Sequence, residues 1–222
     1  MDTLKNFEDN FLNHKPVTTP DVIPIMTDEF YALIGIAGIP RGKIIQITCE
    51  NAGEIFFLAN LIQQAQAKNH VLCLIDVECN IDMGYLKKFD IHLGELMLAQ
   101  PTTSQQCLSI LEHLYKFDLA DFVILSSTLG LFPTETEEAK KFFERVKEIK
   151  NLATQSTMTV IIVNPSHVHS NTINNISDVQ LKLVRGHSIR KNEELIGREI
   201  LAQTTKNSIN LHLGVTTFMN RY

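Results

Sequence analysis

The residues best placed to do chemistry lie between positions 48 and 55, where a short polar turn joins an apolar strand to an apolar helix. A strand, a glycine-containing turn and a helix form the setting in which phosphate-binding loops hold nucleotides. A working loop reads G-x-x-x-x-G-K-[ST], in which the lysine neutralises the β- and γ-phosphates and the hydroxyl holds Mg²⁺. Here Gly53 is followed by Glu54 and Ile55 at those two positions. Because a carboxylate repels a triphosphate, this segment has the shape of a phosphate loop without its chemistry.

Composition favours a single intracellular α/β core. The 222 residues are 44% hydrophobic and carry a net charge of −5, which argues against a global basic surface for nucleic acid. Four cysteines without C-x-x-C spacing and eight histidines without a ligand array predict reduced thiols and no metal site. The N-terminus lacks the features of a signal peptide, and no apolar run reaches the roughly 18 residues of a membrane span. We therefore expect a cytoplasmic protein with no membrane contact.

Short apolar strands alternate with helices along most of the chain, a pattern typical of a parallel sheet covered on both faces. The predicted strands are 22–26, 43–48, 71–77, 96–99, 122–126 and 159–164. The predicted helices are 28–36, 55–68, 83–89, 104–115 and 135–154. Towards the end of the chain the apolar residues alternate with polar ones instead. We expect antiparallel strands there that extend one edge of the sheet, at 179–185, 199–205 and 209–214.

The first 21 residues are set apart from this core by a polar linker between two prolines, Pro16 and Pro20. Apolar residues recur before the linker at helical spacing; they are Leu4, Phe7, Phe11 and Leu12. A helix this short is marginal in isolation and must dock on another surface. We predict an N-terminal helix and linker over 1–21, which docks on a protomer or partner, and a core domain over 22–222.

The order of these elements resembles the RecA recombinase family, in particular its ATPase core. The matching runs keep the family's order and spacing; they are Gly38-Ile39-Pro40-Arg41-Gly42-Lys43-Ile44-Ile45-Gln46-Ile47, Ile75-Asp76-Val77-Glu78, Ile81-Asp82 with Tyr85, Gln100-Pro101-Thr102-Thr103 with Gln106, Val123-Ile124-Leu125, Val163-Asn164, Gly197 and Lys206-Asn207. The resemblance spans roughly residues 4–214. It implies a RecA-like P-loop NTPase fold, which is a three-layer α/β fold. That fold has a mostly parallel central sheet, antiparallel C-terminal edge strands and a short N-terminal docking helix.

Three positions of the family's ATP site are kept. The resemblance implies that Glu78 corresponds to the residue that polarises the attacking water, and that Asp82 and Tyr85 correspond to the adenine contacts. Two alternatives stay open, since Glu78 can simply be a polar residue at the end of a strand and Tyr85 can anchor an amphipathic helix. With no phosphate or metal to act on, Glu78 is expected to be vestigial.

The other positions of that site have lost the family's residues. Ser126 replaces the acid that holds Mg²⁺ through water, and Pro165 replaces the glutamine that senses the γ-phosphate. Of two cations that reach an adjacent subunit's nucleotide, Lys206 is kept and the other is Ser208. Phosphoryl transfer depends on positioning and on cationic stabilisation of spreading negative charge. We predict negligible ATP hydrolysis, no cofactor and no metal, and weak or no binding of nucleotide with Mg²⁺.

The two loops that line the filament axis in the family are short in this chain. The first corresponds to residues 131–134, and the second to residues 166–177, which contain no Lys, Arg or aromatic residue. Single-stranded nucleic acids are held by cations along the backbone and by aromatic side chains that stack on bases. The sequence therefore predicts weak or no direct binding of nucleic acid.

In the family, the N-terminal helix packs on the adjacent protomer and a short strand beside it joins the neighbour's sheet. The residues that match this layout are the predicted interaction residues Leu4, Phe7, Phe11, Ile23 and Ile25. The alternative is that the helix folds back onto its own domain.

Together these inferences favour a non-catalytic RecA-like protein that acts by protein–protein interaction in DNA repair, recombination or SOS regulation. Candidate partners are a RecA-type recombinase, a DNA polymerase accessory protein or further copies of the chain itself. One alternative is a divergent DNA-dependent ATPase of homologous recombination whose missing lysine is supplied by Lys43 or by Lys206 of a neighbour. The other is a self-assembling structural protein.

Overall fold

The computed structural model describes residues 22–23, 28–50, 54–128, 131–132, 136–152, 156–165, 171–191 and 194–221. Its first elements are strand β1 (Val22–Ile23), helix α1 (Asp28–Ile34) and strand β2 (Ile39–Pro40). β1 and β2 pair antiparallel as a small separate sheet. Of the predicted strand 22–26, the described residues Val22 and Ile23 form a strand in this small sheet and not in the central one, and residues 24–26 lie outside the described residues.

The central sheet holds eight strands within the described residues. They are β3 (Ile44–Glu50), β4 (Leu72–Asp76), β5 (Met97–Ala99), β6 (Phe122–Ser126), β7 (Thr159–Pro165), β8 (Val179–Lys191), β9 (Glu194–Asn207) and β10 (Val215–Arg221). Across the sheet they follow the order β10-β9-β8-β3-β7-β6-β4-β5. The strands from β8 to β5 are parallel to one another. β9 pairs antiparallel with β8, and β10 pairs antiparallel with β9. The predicted α/β architecture with antiparallel C-terminal edge strands is confirmed.

Five further helices lie beside this sheet in the part of the chain that the structure describes. They are α2 (Glu54–Ala67), α3 (Met83–Leu86), α4 (Ser104–Lys116), α5 (Glu137–Leu152) and α6 (Asn171–Ile176), with short 3₁₀ turns at Lys87–Phe89 and Leu93–Glu95. The first four match predicted helices, but α6 lies in a stretch predicted to be a loop. Ile173 and Ile176 are buried, and their spacing of three residues places both on the face of α6 that meets the core.

Two buried apolar clusters cover the two faces of the sheet. On one face, alternate residues of β3 such as Ile45 and Ile47 join the cluster that contains α1 and α2. On the other face, Ile44 of β3 joins the cluster formed with α4, α5 and α6. A strand buried on both faces must be apolar at nearly every position, which explains the uninterrupted apolar runs in the sequence.

The last edge strand begins at Val215, whereas residues 209–214 were predicted to form it. The final carbonyls of α1 accept hydrogen bonds from side chains in or just before that segment, which are Asn207, Asn210 and His212. Asn210 Nδ2, for example, lies 3.1 Å from the oxygen of Ile34. These contacts satisfy acceptors that a helix end leaves open, and they hold the segment against α1 rather than in the sheet.

A carboxylate clasp joins three connections at the amino end of the sheet. Asp121 accepts hydrogen bonds of 2.9 Å from Arg41 Nη1 and from the backbone N–H of Val71, and lies 3.3 Å from His70 Nδ1. Burial acts to raise the pKa of Asp121, but the Val71 N–H, Arg41 and His70 outweigh it and hold the pKa below its ordinary value. The clasp therefore stabilises the fold above the unfolded-state pKa near 4, and this contribution is lost as pH falls through the lower folded-state pKa.

Replacing this carboxylate is expected to weaken the fold at neutral pH. Asp121→Asn keeps the volume but removes the charge, so we expect the free energy of unfolding to fall by about 1–2 kcal/mol at pH 7. Denaturant titrations at pH 7 and pH 3 measure this, and the difference from the wild type should shrink at pH 3. Asp118→Asn, at an exposed neighbour, serves as the control. A difference that stays constant over this pH range would contradict the clasp.

Candidate functional site: the carboxyl edge of the sheet

Four adjacent parallel strands end at the same edge of the sheet, which is where open α/β sheets bind their ligands. In order across the sheet, their last residues are Glu50, Pro165, Ser126 and Asp76. The segment predicted to be a degenerate phosphate loop lies between the end of β3 and α2 in the sequence. Gly53 lies outside the described residues, Glu54 is the first residue of α2, and Ile55 is half-buried in its first turn.

Asp76 and Ser126 are brought together at the ends of β4 and β6, where the register sets them side by side. Ser126 is 6% exposed and Asp76 is 1% exposed. The Asp76 carboxylate accepts hydrogen bonds from the backbone N–H groups of Asn80 and Ile81, at 3.4 and 3.3 Å, and from Gln100 Nε2 at 3.5 Å. The buried acid at this edge is thus used to shape the turn that follows β4. Sequence reasoning missed this role, although a polar residue that ends an apolar run was the available signal.

Glu78 lies in the same turn and makes a local contact. Its Oε2 accepts a 2.8 Å hydrogen bond from Asn80 Nδ2, and its side chain is half-buried. Between them Cys79 is exposed, with a φ of 54°. These contacts agree with the alternative in which Glu78 is a polar residue at the end of a strand.

Asp82 and Tyr85 also have structural partners. Asp82 is the N-cap of α3, and its Oδ1 accepts hydrogen bonds from the N–H groups of Gly84 at 2.8 Å and Tyr85 at 3.1 Å. The Tyr85 ring lies 5.1 Å from the ring of Phe89, which in turn lies 5.7 Å from Phe56 of α2. These aromatic contacts tie α3 to α2, as expected for the anchor of an amphipathic helix.

A buried polar group lies at the ends of β6 and β7; of its residues, only Asn164 entered the sequence resemblance, and no role was predicted for it. Asn164 Oδ1 accepts hydrogen bonds from the N–H and Oγ1 of Thr128, at 2.8 and 2.9 Å. Asn164 Nδ2 and Ser127 Oγ are buried, and no partner for either occurs in the described part of the chain. Unpaired buried polar atoms are uncommon and often mark a place for an ordered water or ion. At this edge, the buried side-chain atoms that lack a hydrogen-bond partner therefore lie beside β6 and β7.

Lys182, opposite Thr48 near this edge, and Lys206, which the register places level with Gln46 nearer the amino end of the sheet, are both engaged within the chain. Lys182 Nζ lies 2.8 Å from Glu50 Oε1 at the end of β3. Lys206 Nζ donates a 2.9 Å hydrogen bond to the oxygen of Asn174 in α6. Lys43 precedes β3, whose seven residues separate it from the loop by about 23 Å at 3.3 Å per residue. Lys43 therefore lies at the opposite edge of the sheet from the loop.

The two predicted DNA loops and the predicted docking segment can be followed only in part. In the first loop Phe132 is 6% exposed, with its ring 5.2 Å from that of Phe142, so this aromatic residue belongs to the core. Ile23, predicted to contact a partner, is fully buried in the core of its own chain. Its side chain is covered within its own chain, and its contact with a partner stays a prediction. The other four interaction residues lie outside the described residues; they are Leu4, Phe7, Phe11 and Ile25.

Neither a metal cluster nor a membrane helix is found where the structure is described. Across those ranges, no three His, Cys, Asp or Glu side chains group closely enough to hold a metal ion. In the same ranges, no helix is long and apolar enough to cross a membrane. Burial raises the pKa of the Cys73 thiol to about 11 and, together with the nearby Cys73, that of Cys107 to about 12, so both thiols are neutral.

Curated relatives of this chain carry the name Protein RecA. The protein from Syntrophus aciditrophicus (strain SB) is 25% identical over 213 residues, which cover 85% of this chain and 62% of the relative. The protein from Gluconobacter oxydans (strain 621H) is 23% identical over 223 residues, covering 89% and 65%. The protein from Rickettsia canadensis (strain McKiel) is 26% identical over 201 residues, covering 79% and 59%. The chain thus spans less than two thirds of the length of these relatives.

A family model agrees with these matches and with the fold. The RecA N-terminal domain model matches residues 13–141, which is more than half of the chain. The matched region runs from the predicted linker through the phosphate-loop position to the first turn of α5. Together with the mostly parallel sheet and its antiparallel edge strands, this match shows that the chain belongs to the RecA family.

Proposed function

We propose that this chain is a non-catalytic member of the RecA family that acts by protein–protein interaction in DNA recombination, repair or SOS regulation. The observation that carries the proposal is the set of residues at the carboxyl edge of the sheet. The positions that should contact phosphate and metal hold Glu54, Ile55, Ser126 and Pro165. Each substitution removes a charge or a hydrogen-bonding group on which phosphoryl transfer depends.

Contacts within the chain support the same proposal. The carboxylate of Asp76 serves the turn after β4, and Lys182 is paired with Glu50. A nucleotide would have to break such contacts before it gained a cation or a metal-holding acid here. We infer that the edge is stabilised as a folded surface rather than kept open as a phosphate site.

The alternative of a divergent ATPase needs a lysine from elsewhere. Lys43 is at the opposite edge of the sheet. Lys206 of a neighbouring copy would first have to leave its 2.9 Å hydrogen bond to the Asn174 carbonyl. We therefore favour the non-catalytic function over this alternative.

The interaction surface that we propose is the N-terminal segment over 1–21. Its apolar stripe of Leu4, Phe7 and Phe11 needs a surface to cover it, since an isolated helix of this length is marginal. A second RecA-family protein, or a polymerase accessory protein, would supply that surface. The polar linker sets this helix apart from the core along the sequence, as in the family's protomer-docking layout.

Affinity capture from the native host tests this proposal. The full chain is compared with a 17–222 variant and with a triple variant of Leu4→Ala, Phe7→Ala and Phe11→Ala. A matched control changes the polar face instead, with Lys5→Ala and Glu8→Ala. We expect a protein of DNA recombination or repair to be retained by the full chain and the control, and lost from the other two. The purified pair should then bind directly. Capture that is unaffected by these changes, or no binding between the purified proteins, would contradict the proposal.

A further inference from the structure

Strand β10 leaves one edge of the central sheet without a neighbour in the described residues. It is the terminal strand of the eight-stranded sheet and pairs with β9 in continuous register from Val215–Gln203 to Arg221–Gly197. Every second backbone N–H and C=O group of such a strand points away from the sheet. At the other edge, β5 has only three residues. Among the described strands, the long unpaired edge is therefore that of β10.

This edge lacks the features that normally prevent pairing with another strand. The sequence Val-Thr-Thr-Phe-Met-Asn-Arg of β10 contains no proline, glycine or lysine, and its one charged residue is the last. The pairing of β9 with β10 shows no bulge, whereas the pairing of β8 with β9 has register shifts. Natural edge strands are usually short, charged, bulged or covered because an exposed flat edge invites another strand.

One face of the edge exposes three large apolar side chains, beside the polar Glu199 and Gln203 that lie opposite Met219 and Val215. Val215 and Met219 of β10 are 57% and 59% exposed, and Leu201 of β9, opposite Thr217, is 41% exposed. Strand alternation places these three side chains on the same face. Helix α1 packs against β10 and β9, where it meets the buried Ala202 on the other face. The two sides of the edge thus differ, with a helix on one and an apolar stripe on the other.

We propose that β10 is a dimerisation strand, which pairs antiparallel with β10 of a second copy across a twofold axis at Phe218. In this register Thr217 of each copy lies opposite Met219 of the other, and Val215 lies opposite Arg221. The strand is self-complementary because the pairing brings no two like charges together. An antiparallel pair related by a twofold axis forms one continuous sheet of sixteen strands in the dimer.

The second copy is favoured over an unrelated peptide by the symmetry of the two edges. Two-fold pairing uses both long edges and leaves only the three-residue β5 edges, so the assembly closes as a dimer instead of growing as a fibre. The axis is perpendicular to the sheet and keeps each face on its own side. The apolar stripes of the two copies therefore join, with each Met219 beside a Thr217, and the two α1 helices lie on the opposite face.

Paired charge substitutions test this register. Thr217 and Met219 are exposed, so charges there should leave the monomer folded. Thr217→Lys with Met219→Lys places lysine opposite lysine at both crossings, and we expect at least about a tenfold weaker dimer. Thr217→Glu with Met219→Lys places glutamate opposite lysine, and we expect the affinity to return to within about threefold of the wild type. Sedimentation velocity over about 1–500 µM, the range of weak association, measures both, and circular dichroism checks the fold.

The N-terminal segment provides a separate control. A 17–222 variant should dimerise as the full chain does, because β10 does not depend on residues 1–16. A wild-type chain that stays monomeric throughout the series would overturn the proposal. So would larger open assemblies, or equal behaviour of the two charge variants, since only the proposed register places position 217 opposite position 219.

Discussion

Phosphate release from ATP by this chain, with Mg²⁺ and single-stranded DNA present, is expected to stay at background. Loss of a single oxyanion-stabilising donor costs about 10²–10³ in rate in other enzymes. Here the loop lysine, the loop hydroxyl and the metal-holding acid are replaced together, by Glu54, Ile55 and Ser126. We expect a rate at least about 10³-fold below that of a working RecA-family ATPase. A coupled phosphate-release assay measures it.

The control for this assay is Glu78→Gln, prepared in the same way. If Glu78 is vestigial, both preparations release phosphate at the same background rate. Any rate above that of the assay without protein, if equal in both preparations, then comes from a contaminant. A DNA-stimulated rate that Glu78→Gln abolishes would show that the edge still performs the family's chemistry, and the non-catalytic account would fail.

Gly214→Ala is expected to have the largest effect on stability. A Cβ at this position would lie 1.8 Å from the carbonyl oxygen of Ala32 and 2.8 Å from that of Leu33. The backbone there has little room to move, because the N–H of Thr204 donates a 2.9 Å hydrogen bond to the oxygen of Gly214. The Thr204 hydroxyl also donates to the carbonyl of Leu33, so β9, α1 and the entry to β10 are fixed together. We expect the free energy of unfolding to fall by at least about 3 kcal/mol.

Thermal and chemical denaturation of Gly214→Ala and Gly94→Ala measure this effect. An added Cβ at Gly94 meets no atom within 4 Å, so that control should change the free energy of unfolding by less than about 1 kcal/mol. Equal stability of the two variants would mean that α1 does not pack against the β10 entry as described. That result would also remove the helix from one face of the proposed dimerisation strand.

The sequence predicted the buried strands well because burial on both faces leaves an uninterrupted apolar run. The predicted bounds of β6, 122–126, match the structure, and those of β3, β4 and β7 differ by at most two residues at each end. The apolar alternation at 209–214 was misleading, since Leu211 is 82% exposed and Leu213 is 63% exposed. Their segment is held by contacts to α1, which lies more than 170 positions earlier in the chain. Local periodicity carries no information about such distant partners.

The site was predictable in its residue identities but not in its contacts. A motif comparison finds Glu54, Ile55 and Ser126 directly, because it needs only their positions in the sequence. Two sets of hydrogen bonds depend on turns and strands that meet only in the folded chain. They are the bonds that the Asp76 carboxylate accepts in the turn after β4 and the bond from Lys206 to the Asn174 carbonyl. The same is true of the unpaired buried atoms of Ser127 and Asn164. These contacts decide whether a cation or an acid is available at the edge.

We propose above all that the segment between β3 and α2 no longer holds a nucleoside triphosphate. Isothermal titration of the full chain with ATP and Mg²⁺ tests it most directly, because binding is measured without any need for turnover. We expect no saturable heat up to about 1 mM ATP, which corresponds to a binding free energy weaker than about −4 kcal/mol. Saturable binding in the micromolar range that EDTA weakens would contradict it.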